Sequence, residues 1–176
     1  ESFTGNSTKK VCEILIENFN LQNSIEEISF IKRKYFKHYF DHDADFNLIP
    51  SVLNLIKNYH GNGVKLILAS SASRNTINWV FEKFDLERYF SGKISGDSLK
   101  ESKPHPEIFE IAAKISGEKK ENCIVIEDST NGILAAHLAG IFCVAYKSEH
   151  SFGQNYEKAN LVISDFGEIT FERINL

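Results

Sequence analysis

Residues 123–140, CIVIEDSTNGILAAHLAG, contain the pattern that decides the fold. The first four residues are apolar, which is typical of a strand that is buried on both faces of a sheet. Two adjacent acids and a Ser-Thr-Asn-Gly turn follow, and residues 133–139 then have the composition of a helix. Small residues near the end of this helix allow it to pack closely on the strand. The segment therefore predicts one strand–helix unit of a parallel sheet.

The same alternation of strands and helices extends outward from this segment. Residues 64–69 form another short apolar run, which follows a helix stop signal at residues 61–63. Other strands are predicted around Ile94, at 141–145 and at 161–163, and other helices at 50–60, 77–84 and 106–116. This order predicts an α/β fold, an open parallel sheet flanked by helices, with ligands at the carboxyl ends of the strands.

Before residue 46 the pattern contains helices only. Apolar residues at helical spacing predict a first helix after the turn at 5–8 and a second helix over 28–40. The polar, acidic stretch 41–46 interrupts this pattern and predicts a linker. We therefore expect a small helical unit at residues 1–45 and an α/β core at residues 46–176.

The composition indicates a globular protein and disfavours several functional classes. The 176 residues are 42% hydrophobic and 25% charged, with a net charge of −4. Nucleic-acid-binding proteins usually have a basic excess, and no apolar run approaches the ~20 residues of a membrane span. The three cysteines form no CxxC pair and indicate free thiols in a reducing compartment. We expect a cytoplasmic monomer that binds a small molecule and neither nucleic acid nor a membrane.

Three polar clusters follow or flank the predicted strands, and the first is at residues 69–75, ASSASRN. It lies between a strand and a helix, where small hydroxyl residues and free backbone N–H groups can bind an anion. Simple capping of the helix by Ser73 or Asn75 explains the same residues without a ligand. The cluster alone leaves both interpretations open.

The second cluster is ESKPHP at residues 101–106. Pro106 suits the first turn of the following helix, and Lys103 places a fixed positive charge just before that turn. A phosphate group could be the target of this charge. On these residues alone, an exposed surface lysine is the favoured interpretation.

The third cluster contains Glu127 and Asp128, two adjacent acids at the end of an apolar strand. Two carboxylates at such a position repel each other and resist desolvation unless a positive charge compensates them. A divalent cation such as Mg²⁺, bound through one or two carboxylates plus phosphate and water, would remove that cost. Exposed acids on a loop are the alternative, but the strand and helix signals favour the metal.

The three clusters together resemble a known family. ILASSASRN at 67–75, ESKPHPEIF at 101–109 and IEDSTNGILAAHLAG at 126–140 are similar to motifs II, III and IV of the haloacid dehalogenase superfamily. The resemblance is strongest to the β-phosphoglucomutase-like and phosphoglycolate-phosphatase-like branch. It implies a Rossmann-like core, a partial helical cap at residues 1–45, and a Mg²⁺-dependent phosphatase that acts on a small phosphorylated metabolite such as a sugar phosphate.

The resemblance also implies roles for individual residues. A motif II serine, matching Ser70 or its neighbour Ser71, would hydrogen-bond the transferred phosphoryl group, and Lys103 would neutralise it. Glu127 and Asp128 would hold Mg²⁺. The catalytic residues are then Ser70 and Lys103, and the implied phosphate-binding residues are Ser70, Ser71, Ser73, Arg74, Asn75 and Lys103. Loss of Lys103 should reduce catalysis strongly and leave thermal unfolding close to that of the wild type.

One family motif has no match in the chain. Motif I, an apolar strand ending in DxDGT, carries the nucleophilic aspartate and precedes the cap. The sequence begins with Glu1 and has no methionine, so we expect that this motif lies upstream of it. Residues 41–45, DHDAD, have DxD spacing, but they follow a charged amphipathic helix and lack the Gly-Thr pair. A solvated linker explains them better than a nucleophile or a metal site.

A second departure concerns the reaction. In β-phosphoglucomutases an arginine shortly after the cap glycine binds the phosphate that is not transferred, and Thr8 stands at the equivalent position here. A sugar phosphomutase is therefore a weaker alternative to a phosphatase. A non-catalytic relative that retains only the phosphate-binding cavity is the other alternative.

Overall fold

The computed structural model describes residue 3, residues 5–149 and residues 152–174. The remaining positions of the predicted 1–45 and 46–176 units lie outside the described residues. The helices are α1 (Thr8–Phe19), α2 (Ile25–His42), α3 (Val52–Gly61), α4 (Arg74–Lys83), α5 (Glu107–Ser116) and α6 (Thr130–Ala139). The strands are β1 (Leu66–Ser70), β2 (Phe90–Ser95), β3 (Ile124–Glu127), β4 (Phe142–Tyr146) and β5 (Leu161–Ile163). Short 3-10 helices lie at Glu87–Tyr89, Gly96–Ser98, Lys120–Asn122 and Phe166–Ile169.

The element order agrees with the α/β prediction, and the differences concern element ends. Helix α2 continues through His42, so Asp41 is helical and not part of the linker. An ion pair between Lys37 and Asp41, one turn apart, supports this last turn. Helix α6 begins at Thr130, three residues earlier than predicted, because the Ser129 side chain accepts a hydrogen bond from Gly132 N and caps it.

The strands form two parallel sheets rather than one continuous sheet. β1 pairs with β2, whereas β3 pairs with β4 and β4 pairs with β5. Within the described residues, no strand pairs with the second edge of β1 or of β3. Residues of both strands line the same large cavity. The predicted parallel arrangement is therefore confirmed, but the sheet is divided between β1 and β3.

Helices α5 and α6 pack on the strands and carry the centre of the core. Ile108 of α5 and Ile133 of α6 are each 1% exposed, and small residues of α6, Ala135 and Ala136, are completely buried. This close packing agrees with the prediction from the small residues of the segment at 123–140. It places the N-terminus of α6 directly beside the carboxyl end of β3.

The helical unit is attached to the core through an aromatic cluster. The ring of Phe40 in α2 lies 5.0 Å from that of Phe46 and 6.3 Å from that of Trp79 in α4. Lys83 Nζ donates a hydrogen bond of 3.0 Å to the Phe40 carbonyl, near the end of α2. Among the described residues, no helix combines the length and the apolar composition needed to cross a lipid bilayer.

Candidate functional site

The carboxyl ends of β1 and β3 open into one cavity of about 1310 Å³. Residues from the three predicted clusters line it together, although they are far apart in the sequence. These residues are Ser70, Ser71, Lys103, Glu127 and Asp128. The fold therefore brings the serine turn, the lysine and the two acids to one edge, as expected for parallel strands.

The serine turn after β1 is held by contacts with the end of β2. Ser70 Oγ accepts a hydrogen bond of 3.1 Å from Ala72 N, which closes the turn. The buried Ser95 hydroxyl donates a bond of 2.8 Å to the Ala72 carbonyl. Gly96 lies so close that a Cβ atom there would be 2.9 Å from the carbonyl oxygen of Ser71. These contacts fix the turn, so both serines keep their positions at the cavity.

Lys103 is buried, with only 7% of its surface exposed, and is not a surface lysine. Its ammonium group donates to Glu127 Oε2 at 2.6 Å and to the carbonyl of Ala69 at 3.4 Å. It also lies 4.9 Å from the centre of the Phe109 ring. The positive charge is therefore held at the cavity between the ends of β1 and β3.

Glu127 has both carboxylate oxygens engaged by the protein. Oε1 accepts hydrogen bonds from Asp128 N at 3.0 Å, from Ser129 N at 3.2 Å and from Ser129 Oγ at 3.1 Å, and Oε2 binds Lys103. Burial by itself raises the pKa of Glu127, but the charge and hydrogen bonds of Lys103 and Asp128 outweigh it, and the net pKa is lowered. Glu127 is thus a charged group that orients Lys103.

Gly132 makes this position of Glu127 possible. Gly132 lies in the first turn of α6, and a Cβ atom there would overlap the Glu127 carboxylate. The carboxylate therefore folds back over the N-terminus of its own following helix, where the helix dipole and free N–H groups favour negative charge. In the sequence, this glycine is recognisable only as part of the motif at residues 126–140.

Asp128 is half-buried and lines the cavity beside Lys103 and Glu127. Mg²⁺ is usually bound through one or two carboxylates with phosphate and water as further ligands. The Asp128 carboxylate has the hard oxygen atoms that Mg²⁺ prefers, so Asp128 is a residue that could hold the ion together with phosphate and water. Within the described part of the chain, no three His, Cys, Asp or Glu side chains lie together as a metal cluster. Glu127 Oε1 already accepts three hydrogen bonds, so direct binding by Glu127 would use Oε2 and bring the ion next to the Lys103 ammonium group.

Ser73, Arg74 and Asn75 of the first cluster lie outside the cavity lining. Ser73 Oγ accepts a hydrogen bond of 3.3 Å from Thr76 N and caps α4, which is the ligand-free alternative of the sequence analysis. Arg74 and Asn75 are exposed, and the backbone N–H of Arg74 donates to Asp97 Oδ2 at 3.1 Å. The structure does not bring these three residues into the site, and their contact with phosphate stays a prediction.

The turn before α1 belongs to the site, although sequence analysis assigned it no ligand. Gly5 and Asn6 line the cavity. The carbonyl of Gly5 accepts a hydrogen bond of 3.3 Å from Ser71 Oγ. Asn6 Oδ1 accepts one of 3.4 Å from Asn131 Nδ2. The Gly-Asn-Ser sequence was the available signal, because these residues are typical of turns, and Gly5 has the left-handed φ of +81° that such a turn requires.

The acidic stretch at 41–45 lies outside the cavity lining. Asp41 is paired with Lys37, and Asp43 Oδ1 accepts a hydrogen bond of 2.9 Å from Asp45 N. All five residues are exposed, which agrees with the interpretation as a solvated linker, although Asp41 and His42 belong to the last turn of α2.

Comparisons with known proteins give a consistent result. A family model described as haloacid dehalogenase-like hydrolase matches residues 1–146. The phosphoglycolate phosphatase of Salmonella paratyphi A is 32% identical over 136 residues, 76% of this chain and 52% of that protein. The probable pseudouridine-5'-phosphatase of Drosophila melanogaster is 28% identical over 182 residues, 100% of this chain and 78% of that protein.

Solved structures agree with these matches. The crystal structure of β-phosphoglucomutase from Clostridium difficile is similar at a TM-score of 0.81 and 29% identity, covering 97% of this chain and 76% of that one. The chain spans about two fifths to one half of the length of several curated relatives that it matches. The matches confirm the resemblance and the α/β fold that the sequence predicted.

The buried ion pair changes the expected effect of Lys103→Ala on stability. Because removal of one partner leaves the other charge buried and unpaired, we expect a loss of about 3–5 kcal/mol in the free energy of unfolding. Chemical denaturation of the full-length protein measures this loss. Lys10→Ala is the control, since it breaks an exposed pair with Glu13 at 3.6 Å and should change stability by about 1 kcal/mol at most. If Lys103→Ala loses no more unfolding free energy than the control, the pair is not buried. A loss of about 3–5 kcal/mol would contradict the near-native unfolding that the sequence led us to expect.

The lowered pKa of Glu127 predicts a pH dependence of stability. Since the folded-state pKa lies below the ordinary value of 4.5, the stabilisation is fully present above pH 4.5 and is lost as the pH falls through the folded pKa. We expect the difference in unfolding free energy between wild type and Glu127→Gln to be constant above pH 4.5 and to shrink below it. Glu17→Gln, at an exposed position of α1, controls for loss of a negative charge. A difference that stays constant down to pH 3 contradicts the charged, paired carboxylate.

A glycine pair tests the position of the Glu127 carboxylate. In a helix, Gly→Ala normally stabilises by about 1 kcal/mol. At Gly132 we expect a loss of about 1–3 kcal/mol instead, because the added methyl group displaces the Glu127 carboxylate from its hydrogen bonds. Gly61→Ala is the matched control, since nothing lies within 4 Å of its Cβ position. Thermal unfolding of both variants tests this expectation. An equal increase in stability for Gly132→Ala and Gly61→Ala would contradict the close approach of the Glu127 carboxylate to Gly132.

Proposed function

Because this chain belongs to the haloacid dehalogenase-like hydrolase family, we propose that the full-length protein is a Mg²⁺-dependent phosphatase. Its proposed substrate is a small phosphorylated metabolite of the sugar-phosphate class. The relatives with phosphatase names support hydrolysis of a phosphoric monoester. Since those relatives are named for different substrates, the substrate class comes from the branch that the motifs resemble.

The buried ammonium group of Lys103 is the observation that carries the proposal. It lies at the cavity edge with Ser70 and Asp128, where β1 and β3 both end. A phosphoryl group in transfer carries several negative charges, and a cation fixed in a partly dehydrated site stabilises them without reorganisation. The Ser70 hydroxyl can donate a hydrogen bond to the same group. Such a set of charges fits a phosphate ester better than a neutral ligand.

The proposed nucleophile is an aspartate outside residues 1–176. Glu127 is unsuitable because both of its oxygens accept hydrogen bonds from the protein. Asp128 is assigned to the metal in this proposal. The aspartate carboxylate would attack phosphorus, release the alcohol and form an aspartyl-phosphate, which water would then cleave to free phosphate and the restored carboxylate.

The division between the two sheets supports this origin of the nucleophile. The cavity volume of about 1310 Å³ exceeds the ~300–1,000 Å³ typical of small-molecule sites. Its walls include apolar residues of both facing strands, such as Ile67 of β1 and Val125 of β3. A parallel strand between β1 and β3 would pair both edges and bury these side chains. Its carboxyl end would then lie beside Ser70 and Lys103, where a nucleophile is needed.

The residues of this chain have separate tasks in the proposed reaction. Ser70 binds and orients the phosphoryl group, and Lys103 offsets its charge while Glu127 holds the lysine in place. Mg²⁺, when bound at Asp128, would supply further positive charge to the phosphoryl oxygens. Gly5 and Asn6 close the edge of the cavity next to Ser71.

Two other functions are alternatives within the same fold, one catalytic and one non-catalytic. A sugar phosphomutase would use a second substrate hydroxyl in place of water, and the similarity to β-phosphoglucomutase favours it. Thr8, which lines the cavity, stands at the position where β-phosphoglucomutases have a phosphate-binding arginine, and this difference argues against the mutase. A non-catalytic phosphate-binding protein would retain Ser70 and Lys103 but lack the nucleophile.

Phosphate release by the full-length protein tests the proposal. We expect turnover of at least one compound in a panel of sugar phosphates and nucleotides, with Mg²⁺ present and not with a chelator. Lys103→Ala and Lys103→Arg should each lower kcat/KM about a hundredfold or more, since one such contact contributes roughly 2.7–4 kcal/mol. Arginine should rescue poorly because its planar group cannot occupy the site of a compact ammonium. Assays below the unfolding temperature of both variants separate catalysis from stability.

Residues 1–176 alone provide the negative control, and we expect no turnover from them. Turnover by this chain that is abolished by Asp41→Ala or Asp43→Ala would move the nucleophile to the 41–45 stretch. Isomerised sugar phosphate without free phosphate would favour the mutase. Phosphate binding with neither product would favour the non-catalytic alternative.

A further inference from the structure

The segment at residues 152–158, which follows β4, lies against the N-terminus of α6. Gln154 Oε1 accepts hydrogen bonds from Thr130 N at 2.7 Å and from Thr130 Oγ1 at 3.0 Å. Asn155 N donates to Thr130 Oγ1 at 2.8 Å. Thr130 is only two residues from Asp128, so these bonds fix the segment next to the proposed metal ligand.

Tyr156 in this segment has a buried hydroxyl group with no partner. Its ring packs against the core cluster that contains Ala135 and Cys143. Within the described residues, Tyr156 Oη is the one buried side-chain oxygen or nitrogen that makes no hydrogen bond. A buried hydroxyl without a partner destabilises a protein by about 1–3 kcal/mol, and native proteins almost always satisfy such groups. A partner for this hydroxyl is therefore expected in the working protein.

Asp128 is the acceptor that fits. The bonds of Gln154 and Asn155 to Thr130 hold the segment of Tyr156 beside the strand end that carries Asp128. Burial and, to a smaller extent, the negative charge of Asp128 raise the pKa of Tyr156, which agrees with this placement. A phenol donates one hydrogen bond, and an ionised carboxylate accepts at both oxygens.

We propose that Tyr156 is a positioning residue whose hydroxyl donates a hydrogen bond, directly or through one water, to the Asp128 carboxylate. The bond fixes the orientation of the carboxylate, so that one oxygen stays directed to the cavity. Hydrogen bonds of this kind to a ligating carboxylate typically change metal affinity or activity 10–100-fold when removed. The inference rests on the proposed function in treating Asp128 as the Mg²⁺ ligand.

Tyr156→Phe in the full-length protein tests the proposal, because it removes the hydroxyl and keeps the ring. We expect Mg²⁺ to bind about tenfold more weakly or worse by calorimetric titration without substrate. In metal-free buffer we expect the unfolding temperature to fall by about 2–4 °C. An unpaired hydroxyl predicts the opposite, a higher unfolding temperature and unchanged Mg²⁺ binding, and that result would overturn the proposal.

Tyr59→Phe is the matched control. It also removes a buried hydroxyl, which donates to the Ile169 carbonyl at 2.6 Å outside the proposed metal site. This variant should lower the unfolding temperature and leave Mg²⁺ affinity unchanged. Equal losses of Mg²⁺ affinity in Tyr59→Phe and Tyr156→Phe would mean a general effect on stability and would overturn the positioning role.

Asp128→Ala separates this proposal from the proposed function. If Asp128→Ala binds Mg²⁺ as tightly as wild type, the metal assignment fails, and with it the tenfold effect expected of Tyr156→Phe. Unfolding temperatures then test the hydrogen bond itself. If the bond exists, Tyr156→Phe lowers the unfolding temperature less in the Asp128→Ala background than in the wild-type background. An equal decrease in both backgrounds overturns the bond.

Discussion

The ammonium group of Lys103 is held between the Glu127 carboxylate and the Ala69 carbonyl, and the rest of the site is arranged around this contact. It connects the carboxyl end of β1 with that of β3, two strands that do not pair with each other within the described residues. A buried ion pair has a large desolvation cost, which only good geometry and further hydrogen bonds can offset. Glu127 meets this condition with three additional hydrogen bonds at its other oxygen.

The need to hold the Glu127 carboxylate in this geometry explains the identity of several neighbouring residues. Gly132 is needed because any side chain there would occupy the place of the carboxylate. Ser129 is 1% exposed and serves two groups, because its hydroxyl donates to Glu127 and accepts from Gly132 N as the cap of α6. The strand end, the helix cap and the charge pair are thus one connected unit, and a change in one of them displaces the others.

The two sheets give the site its second property, a cavity with an apolar interior and a charged edge. The charges of Lys103, Glu127 and Asp128 lie together at the carboxyl ends of the strands, whereas Ile67 and Val125 line the cavity from positions earlier in β1 and β3. The transfer of a phosphoryl group needs only the charged edge of the cavity. The apolar interior suits a further parallel strand between β1 and β3. The proposed phosphatase therefore combines a charge arrangement contained in this chain with a nucleophile supplied from outside it.

The sequence by itself determined the order of strands and helices, the three clusters and the family, because these depend on local periodicity and on motifs of a few adjacent residues. It also predicted that the clusters would meet, since parallel strands end at one edge. Only the tertiary structure decided the burial of Lys103, because its partners Glu127 and Ala69 lie 24 and 34 residues away along the chain. The same reason applies to Ser73, which caps its own helix, and to Tyr156, whose hydroxyl is buried without a hydrogen bond within the described residues. Whether a polar side chain caps its own helix or contacts a distant acid depends on packing between elements, which local patterns do not contain.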